Sequence, residues 1–406
     1  MNQHRDRRPP FTAFGKQTPV EIFSSLPTPC YVIDEGQLRQ NGQILAELSK
    51  KTDCKILLAQ KAFSNYDFYP LLGEYLSGTE ASGLYEAMLG KEKMPQKEVH
   101  VFCAAYKEEE FDQLLETADH LVFNSPRQLK KFGAKAKQAG KSLGLRINPE
   151  CSTQQEHEIY DPCAPGSRLG TTLEVWKQEM TEELTELLDG LHFHTLCEQD
   201  SDALEVTLQA VEDKFGFVLP KLKWLNMGGG HHITRPGYGL KKLEACIHQV
   251  KKNWQLQVYL EPGEACALNA GFLVTRILDI VKNGGCRIAI LDTSAACHMP
   301  DVIEMPYTPP LYQARAVGEG EAPAYSYRLS GPTCLAGDVI GDYCFDQELK
   351  EGDLLVFGDM AIYTTCKNNT FNGMALPNIW RRGLDGALTQ LTHFGYEDFK
   401  MRLGGP

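Results

Sequence analysis

The sequence predicts an α/β chain, a (β/α)8 barrel of the TIM type followed by an all-β domain. Three observations lead there. Short apolar runs alternate with amphipathic, charge-rich segments between 55 and 263. After 263 the alternation gives way to β-rich runs separated by turn residues. A chain of 406 residues is long enough for two domains with cores of their own. A doubly wound sheet is the main alternative for the first part, and eight strand-sized runs within about 210 residues fit a barrel better.

The elements follow in order. PTPCYVID at 27–34 reads as a strand before the first helix. The eight runs are 55–61, 74–78, 98–103, 120–124, 143–148, 190–195, 224–227 and 256–260, with helical patterns at 108–118, 126–139, 173–187 and 240–253 among the segments between them. The later β runs are 272–281, 286–292, 325–329, 338–345 and 353–357. The expected division is a barrel at 27–265, a β domain at 266–380 to which residues 1–26 are available to join, and a C-terminal tail at 381–406.

Composition narrows the function classes. Hydrophobic residues make up 42% and charged residues 23%, as in ordinary globular chains. The formal net charge of −12 speaks against a nucleic-acid partner and is compatible with a polycationic substrate. No apolar run reaches the roughly 18 residues of a membrane span. The basic start at Arg5, Arg7 and Arg8 leads into Pro9 and polar residues rather than a signal peptide's apolar segment, so no membrane partner and a cytoplasmic location are expected. Thirteen cysteines without a C-x-x-C pair fit neither a disulfide framework nor a zinc ribbon, and reduced thiols are expected.

In a parallel barrel, chemistry gathers at the C-terminal ends of the strands. Lys61 ends KILLAQK; a lysine there is commonly a solvated charge, but a desolvated one forms Schiff bases with carbonyl groups. Gly228, Gly229 and Gly230 follow WLNM, after the seventh run, where backbone amides converge on phosphate in this fold, or simply turn the chain. His194 in HFHTLCE can stack on a planar ring. His192 shares its face, yet no third ligand stands at a typical spacing, so no metal is expected. Glu261 and Glu264 end the eighth run as E-P-G-E, where a carboxylate beside a pyridine nitrogen would keep it protonated; the plain alternative is a turn with surface acids. Together the lysine, imidazole, glycine loop and carboxylate fit one cofactor, pyridoxal 5'-phosphate.

The ordered set LLAQK, HFHTLCE, NMGGG, EPGE, GPTC and AIYTTC resembles the fold-type III decarboxylases, which join an alanine-racemase-like barrel to a β domain. The resemblance runs from about 27 to 377. TPCYVID, HFHTLCE, GGGHHITRPGY and HMPDVIEMPY look most like members that act on carboxylated polyamines such as carboxynorspermidine and carboxyspermidine. It implies that Lys61 carries the cofactor, His194 stacks on its ring, Gly228, Gly229 and Gly230 bind phosphate, and Glu261 pairs with the ring nitrogen. It further implies that Cys334 of GPTC protonates the substrate carbanion, that Tyr363 approaches the phosphate, and that both act across a homodimer with shared sites.

One departure stands out. Ornithine and diaminopimelate decarboxylases typically carry E-P-G-R, whose arginine helps hold phosphate, whereas Glu264 stands here. A carboxylate at the mouth suits a cationic amine, as does Asp301 in HMPDVIEMPY; both are also readable as structural acids. The competing functions are diaminopimelate or another basic amino-acid decarboxylation, amino-acid racemisation, and non-catalytic cofactor binding by a single-domain barrel. The last is disfavoured by the β-rich region after 263.

Overall fold

The computed structural model describes residues 17–153, 161–317 and 325–405, so residues 1–16 of the expected joining segment lie outside it. Strand β1 (Cys30–Asp34) precedes β2 (Lys55–Ala59), β3 (Gly78–Ala81), β4 (Glu98–Phe102), β5 (His120–Phe123), β6 (Ser142–Arg146), β7 (Gly190–His192), β8 (Trp224–Asn226) and β9 (Gln257–Leu260). Strands β2 to β9 pair in parallel, each with the next, and β9 closes on β2. This closed barrel lies in a compact unit spanning Arg39–Cys266.

Local sequence explains the helices between the strands. Helix Pro126–Gln138 starts on Ser125, whose side chain accepts from the Gln128 amide, and has proline in its first turn. It buries Leu129, Phe132, Gly133 and Ala136, one stripe at helical spacing. Helix Leu240–Trp254 buries Leu243, Cys246, Ile247 and Val250 in the same way and stops where Gln255 turns left-handed. The single helix expected at 173–187 is two, Leu173–Glu179 and Glu182–Glu186. Thr181 interrupts it by accepting from the Leu184 amide, an N-cap that a continuous helix would forbid.

The barrel floor is an aromatic plug. Trp224 lies over Gly144 and Gly190, where a Cβ would come within 2.3 and 2.0 Å of the indole. Tyr259 and the stacked rings of His100 and His120, 3.9 Å apart, complete it. Lys55 and Glu98 form an ion pair at the edge of this plug. Truncating an aromatic of this kind typically costs about 3–5 kcal/mol, so the floor fixes the strands that carry the opposite, functional end.

The second unit comprises the chain up to Leu38 and the chain from Ala267. Its sheet adds β10 (Gly271–Asn283), β11 (Cys286–Leu291), β12 (Ala314–Ala316), β13 (Tyr325–Ser330), β14 (Val339–Phe345), β15 (Leu354–Gly358), β16 (Asn378–Arg382) and β17 (Leu388–Thr392). The strand order is β12-β14-β13-β11-β10-β1-β16-β17, with β15 also beside β10. Two expectations are corrected here. β1, counted with the barrel from the sequence, pairs antiparallel with β10 and parallel with β16. All five of its residues are buried, and so short an apolar run reads alike in either sheet. The expected tail contains the last residues of β16, then β17 and helix Tyr396–Met401. Arg382, in that segment, pairs with Asp34 and anchors it to β1.

Candidate active site

A cavity of about 300 Å³, in the range of small-ligand sites, opens in the barrel unit. Lys61, Glu80, Arg146, His192, His194 and Glu261 line it. Each stands at or just beyond the C-terminal end of its strand, which is where parallel strands converge on a shared mouth. Lys61 sits two residues past β2, in a turn closed by Ala62 and Phe63 amides bonding back to Ala59 and Gln60 carbonyls. Glu261 follows β9 directly and is 4% exposed. Its Oε2 lies 3.0 Å from His192 Nε2, and its Oε1 accepts from the Asn226 amide at 2.6 Å.

The glycine loop is set by close approach of backbones. A Cβ at Gly228 would lie 2.3 Å from the Phe193 carbonyl oxygen, at Gly229 2.4 Å from that of Glu261, and at Gly230 2.0 Å from that of Leu196. Gly228 and Gly230 also have φ of +68° and +79°. Two of the three amides are already used: Gly228 donates to Asn226 Oδ1 at 2.9 Å and Gly229 to His194 Nδ1 at 2.9 Å. The second bond orients the His194 ring and requires its Nδ1 to be unprotonated.

The charges are unevenly tuned. Burial pushes the Glu80 carboxyl up to about 8, and the nearby Glu261 charge adds to this against the pull of Lys61. Burial also opposes ionisation of Glu261, yet its contacts with His192 and Asn226 outweigh that and leave it below the ordinary carboxylate range. Burial, followed by the Lys61 and Arg146 cations, holds His194 well below the usual imidazole range. Two neighbouring carboxyls are thus driven apart, one toward the acid and one toward the anion, a pattern typical of sites that handle protons.

An amine, a neutral imidazole and a buried carboxylate facing one cavity are the donor set that a carbonyl-bearing pyridine ring requires, so the residues present fit pyridoxal phosphate. Glu80, Ser82, Phe102, Arg146 and Arg168 also line the cavity and were missed from the sequence. A signal existed for one of them: Arg146 is a lone cation at the end of an apolar strand. Its guanidinium lies 4.5 Å from the Phe102 ring and donates to the His194 carbonyl at 3.3 Å.

Glu264 begins a short helix, Glu264–Ala267, and does not line the cavity. It groups with Glu198 and His232, whose possible ligand atoms all lie within 4.8 Å of one another. Glu98, His100 and His120 form a second such trio at the barrel floor, where Lys55 already pairs with Glu98. Cys334, Tyr363 and Asp301 belong to the sheet unit. Cys334 is exposed, and its amide donates to Asn372 Oδ1 at 2.8 Å. Its loop is tied down by Asp338, which accepts from the Thr333 hydroxyl at 2.7 Å and from Ser294. Tyr363 has a φ of +55°, a left-handed backbone that is rare for an aromatic residue. Asp301 is ion-paired with Lys367, which also reaches Glu304.

Residues 30–361 match the family model described as pyridoxal-dependent decarboxylase, C-terminal sheet domain. The chain belongs to the pyridoxal-dependent decarboxylases. This decarboxylase is 42% identical over 389 residues to a carboxynorspermidine/carboxyspermidine decarboxylase of Campylobacter jejuni, covering 94% of this chain and all of the relative. It is 40% identical over 383 residues to a carboxyaminopropylagmatine decarboxylase of Synechocystis, covering 94% and 97%. Its fold matches the crystal structure of carboxynorspermidine decarboxylase complexed with norspermidine from C. jejuni, with a TM-score of 0.85 and 41% identity over 93% of this chain and 100% of that one. The decarboxylase is a pyridoxal-phosphate-dependent enzyme with a parallel barrel and a largely antiparallel sheet domain.

Proposed function

We propose that this decarboxylase removes the α-carboxylate of carboxynorspermidine and carboxyspermidine, giving norspermidine and spermidine. The observation that carries this is the 42% identity, over 94% of this chain and all of the relative, to an enzyme named for those two substrates. The 40% identity to a carboxyaminopropylagmatine decarboxylase favours a second reading, in which the distal group is a guanidinium. Both substrates place cationic nitrogens beyond the reacting carbon, which agrees with a carboxylate at Glu264 where related decarboxylases carry arginine.

When bound, the cofactor supplies an electron sink for the pair left behind as carbon dioxide departs. Lys61, the lysine that lines the cavity, would hold the cofactor by its amine. His194 would stack on the cofactor's ring, its own orientation supported by the Gly229 amide. Gly228, Gly229 and Gly230 face the phosphate, with Gly230 the glycine whose amide has no bond to Asn226 or His194. Glu261 faces the ring nitrogen, and its two donors support the anionic form that the role needs. Cys334 returns a proton to the α-carbon, and its exposure is compatible with that task. Tyr363 approaches the phosphate.

We further propose a homodimer in which Cys334 and Tyr363 of one protomer serve the site of the other. Glu264 contacts a distal substrate ammonium; its grouping with Glu198 and His232 supports a cation-binding role. Asp301 is the weaker candidate, because the Lys367 ammonium already compensates its charge. No helix among the described residues is long and apolar enough to cross a membrane. The thirteen cysteines are all free, which supports a location in the reducing cytoplasm. The test is carbon dioxide release from carboxynorspermidine, carboxyspermidine, carboxyaminopropylagmatine, diaminopimelate, ornithine and arginine. The highest kcat/KM is expected for one of the first two; a preference for the third would install the second reading, and a preference for diaminopimelate would overturn both.

A further inference from the structure

Building on the reading of Glu261 as the ring-nitrogen partner, we propose that His192 is its positioning residue, a neutral imidazole whose Nε2–H, with the Asn226 amide, keeps Glu261 anionic and in place. Three strand ends supply the frame. Arg146 on β6, His192 on β7 and Asn226 on β8 are register partners in adjacent strands, so they form one row beneath the cavity. The His192 ring stacks on Phe102 with centroids 5.5 Å apart and planes 21° apart, and the same phenyl ring carries the Arg146 guanidinium. Its rotation is therefore restricted by packing, with Nε2 held 3.0 Å from Glu261 Oε2.

The tautomer follows from where the other ring nitrogen lies. His192 is 1% exposed, and its Nδ1 is buried with no hydrogen-bond partner among the described residues. An imidazolium would leave an N–H donor stranded at Nδ1, whereas the Nε2–H tautomer leaves only a lone pair there, the cheaper of the two. The charges around the ring agree. Burial disfavours the imidazolium first, and Arg146 and Lys61 disfavour it further, against the pull of Glu261. Glu80, the other carboxyl of the cavity, and His100 from the floor both act on Glu261 as well. A neutral histidine can give Glu261 a hydrogen bond without giving it a proton. The outer partner of a catalytic carboxylate then fixes its charge as well as its direction.

The test combines a direct reading of the ring with two variants. In wild-type holoenzyme labelled with ¹⁵N-histidine, His192 is expected to show a protonated Nε2 and an unprotonated Nδ1 at neutral and alkaline pH. An imidazolium, or a proton on Nδ1, in that range would overturn the proposal without recourse to any variant. His192→Leu is expected to lower kcat by about 10- to 100-fold with KM changed by less than about threefold, and to move the acidic limb of the kcat profile to higher pH. His192→Gln, whose amide can donate from the same side, is expected to recover most of the loss and return the limb toward its wild-type position. A His192→Leu enzyme with kcat within twofold of wild type and an unshifted limb would refute the role. Failure of the underlying reading is distinguishable: Glu261→Gln would then leave kcat unchanged while the ¹⁵N result for His192 still stood.

Discussion

Replacing Glu261 with Gln separates a structural contribution from a catalytic one. The wild-type carboxylate accepts from two N–H donors, His192 at 3.0 Å and Asn226 at 2.6 Å, while almost entirely buried. Glutamine offers one acceptor oxygen and one NH2 group, so one of those donors is left facing another donor. A buried donor without an acceptor costs about 1–3 kcal/mol, and a loss of that size is expected in urea unfolding of the variant. The catalytic part is separate. If Glu261 faces the cofactor's ring nitrogen, the neutral amide also forfeits one charge-assisted hydrogen bond, about 1.5–3 kcal/mol, or roughly 10- to 150-fold in kcat. The assay is carbon dioxide release at saturating carboxynorspermidine with enzyme fully loaded with cofactor, beside the urea curve. Lower stability with unchanged kcat would refute the ring-nitrogen reading and leave Glu261 as a structural acid.

Three further outcomes are expected. Glu80 holds its proton in the fold to about pH 8 but would ionise near 4.5 when unfolded, so the folded state binds more protons between those values and stability falls as pH rises through them. Cofactor-free Glu80→Gln should therefore gain thermal stability relative to wild type at pH 8 and little at pH 4.5; an equal difference at both values would contradict a raised Glu80. Glu264→Gln should raise KM for the carboxylated triamine by about 10-fold or more while cofactor affinity stays unchanged, since one charge-assisted contact is lost; release of cofactor instead would assign Glu264 to the cofactor's surroundings. Mixing inactive Lys61→Ala and Cys334→Ala subunits should restore part of the activity through heterodimers holding one intact site, and no recovery despite demonstrated subunit exchange would place both residues in one chain's site.

The barrel was legible because its strands are apolar runs separated by amphipathic helices, a periodic signal that each segment carries for itself. One strand escaped. The run expected at 74–78 is displaced to Gly78–Ala81, where Thr79 and Glu80 break the apolar pattern, and the polar residue that hid the strand is the one lining the cavity. Lys61, His194 and Glu261 were accessible as polar residues at strand ends, and the structure brings these three to one cavity. Phe102 was not, because an aromatic on a strand reads as core; Arg146, a lone cation at the end of an apolar strand, carried the same strand-end signal and was passed over. β1 was assigned to the wrong unit for a similar reason: CYVID states that it is buried, while its pairing with β10 and β16 is set by residues some 240 and 350 positions away. β16 and β17 lacked a strong pattern, their half-buried faces mixing Trp380 with Arg381 and Arg382.

The most direct measurement is identification of the lysine that carries the cofactor. Borohydride reduction of the purified holoenzyme, followed by proteolysis and mass spectrometry, should find the pyridoxyl group on the peptide containing Lys61 and at that residue alone. Lys61 is the lysine of the described barrel cavity, facing Glu261 and His194 across about 300 Å³. A pyridoxyl group on any other lysine, with Lys61 unmodified, would contradict the placement of the active site at that cavity.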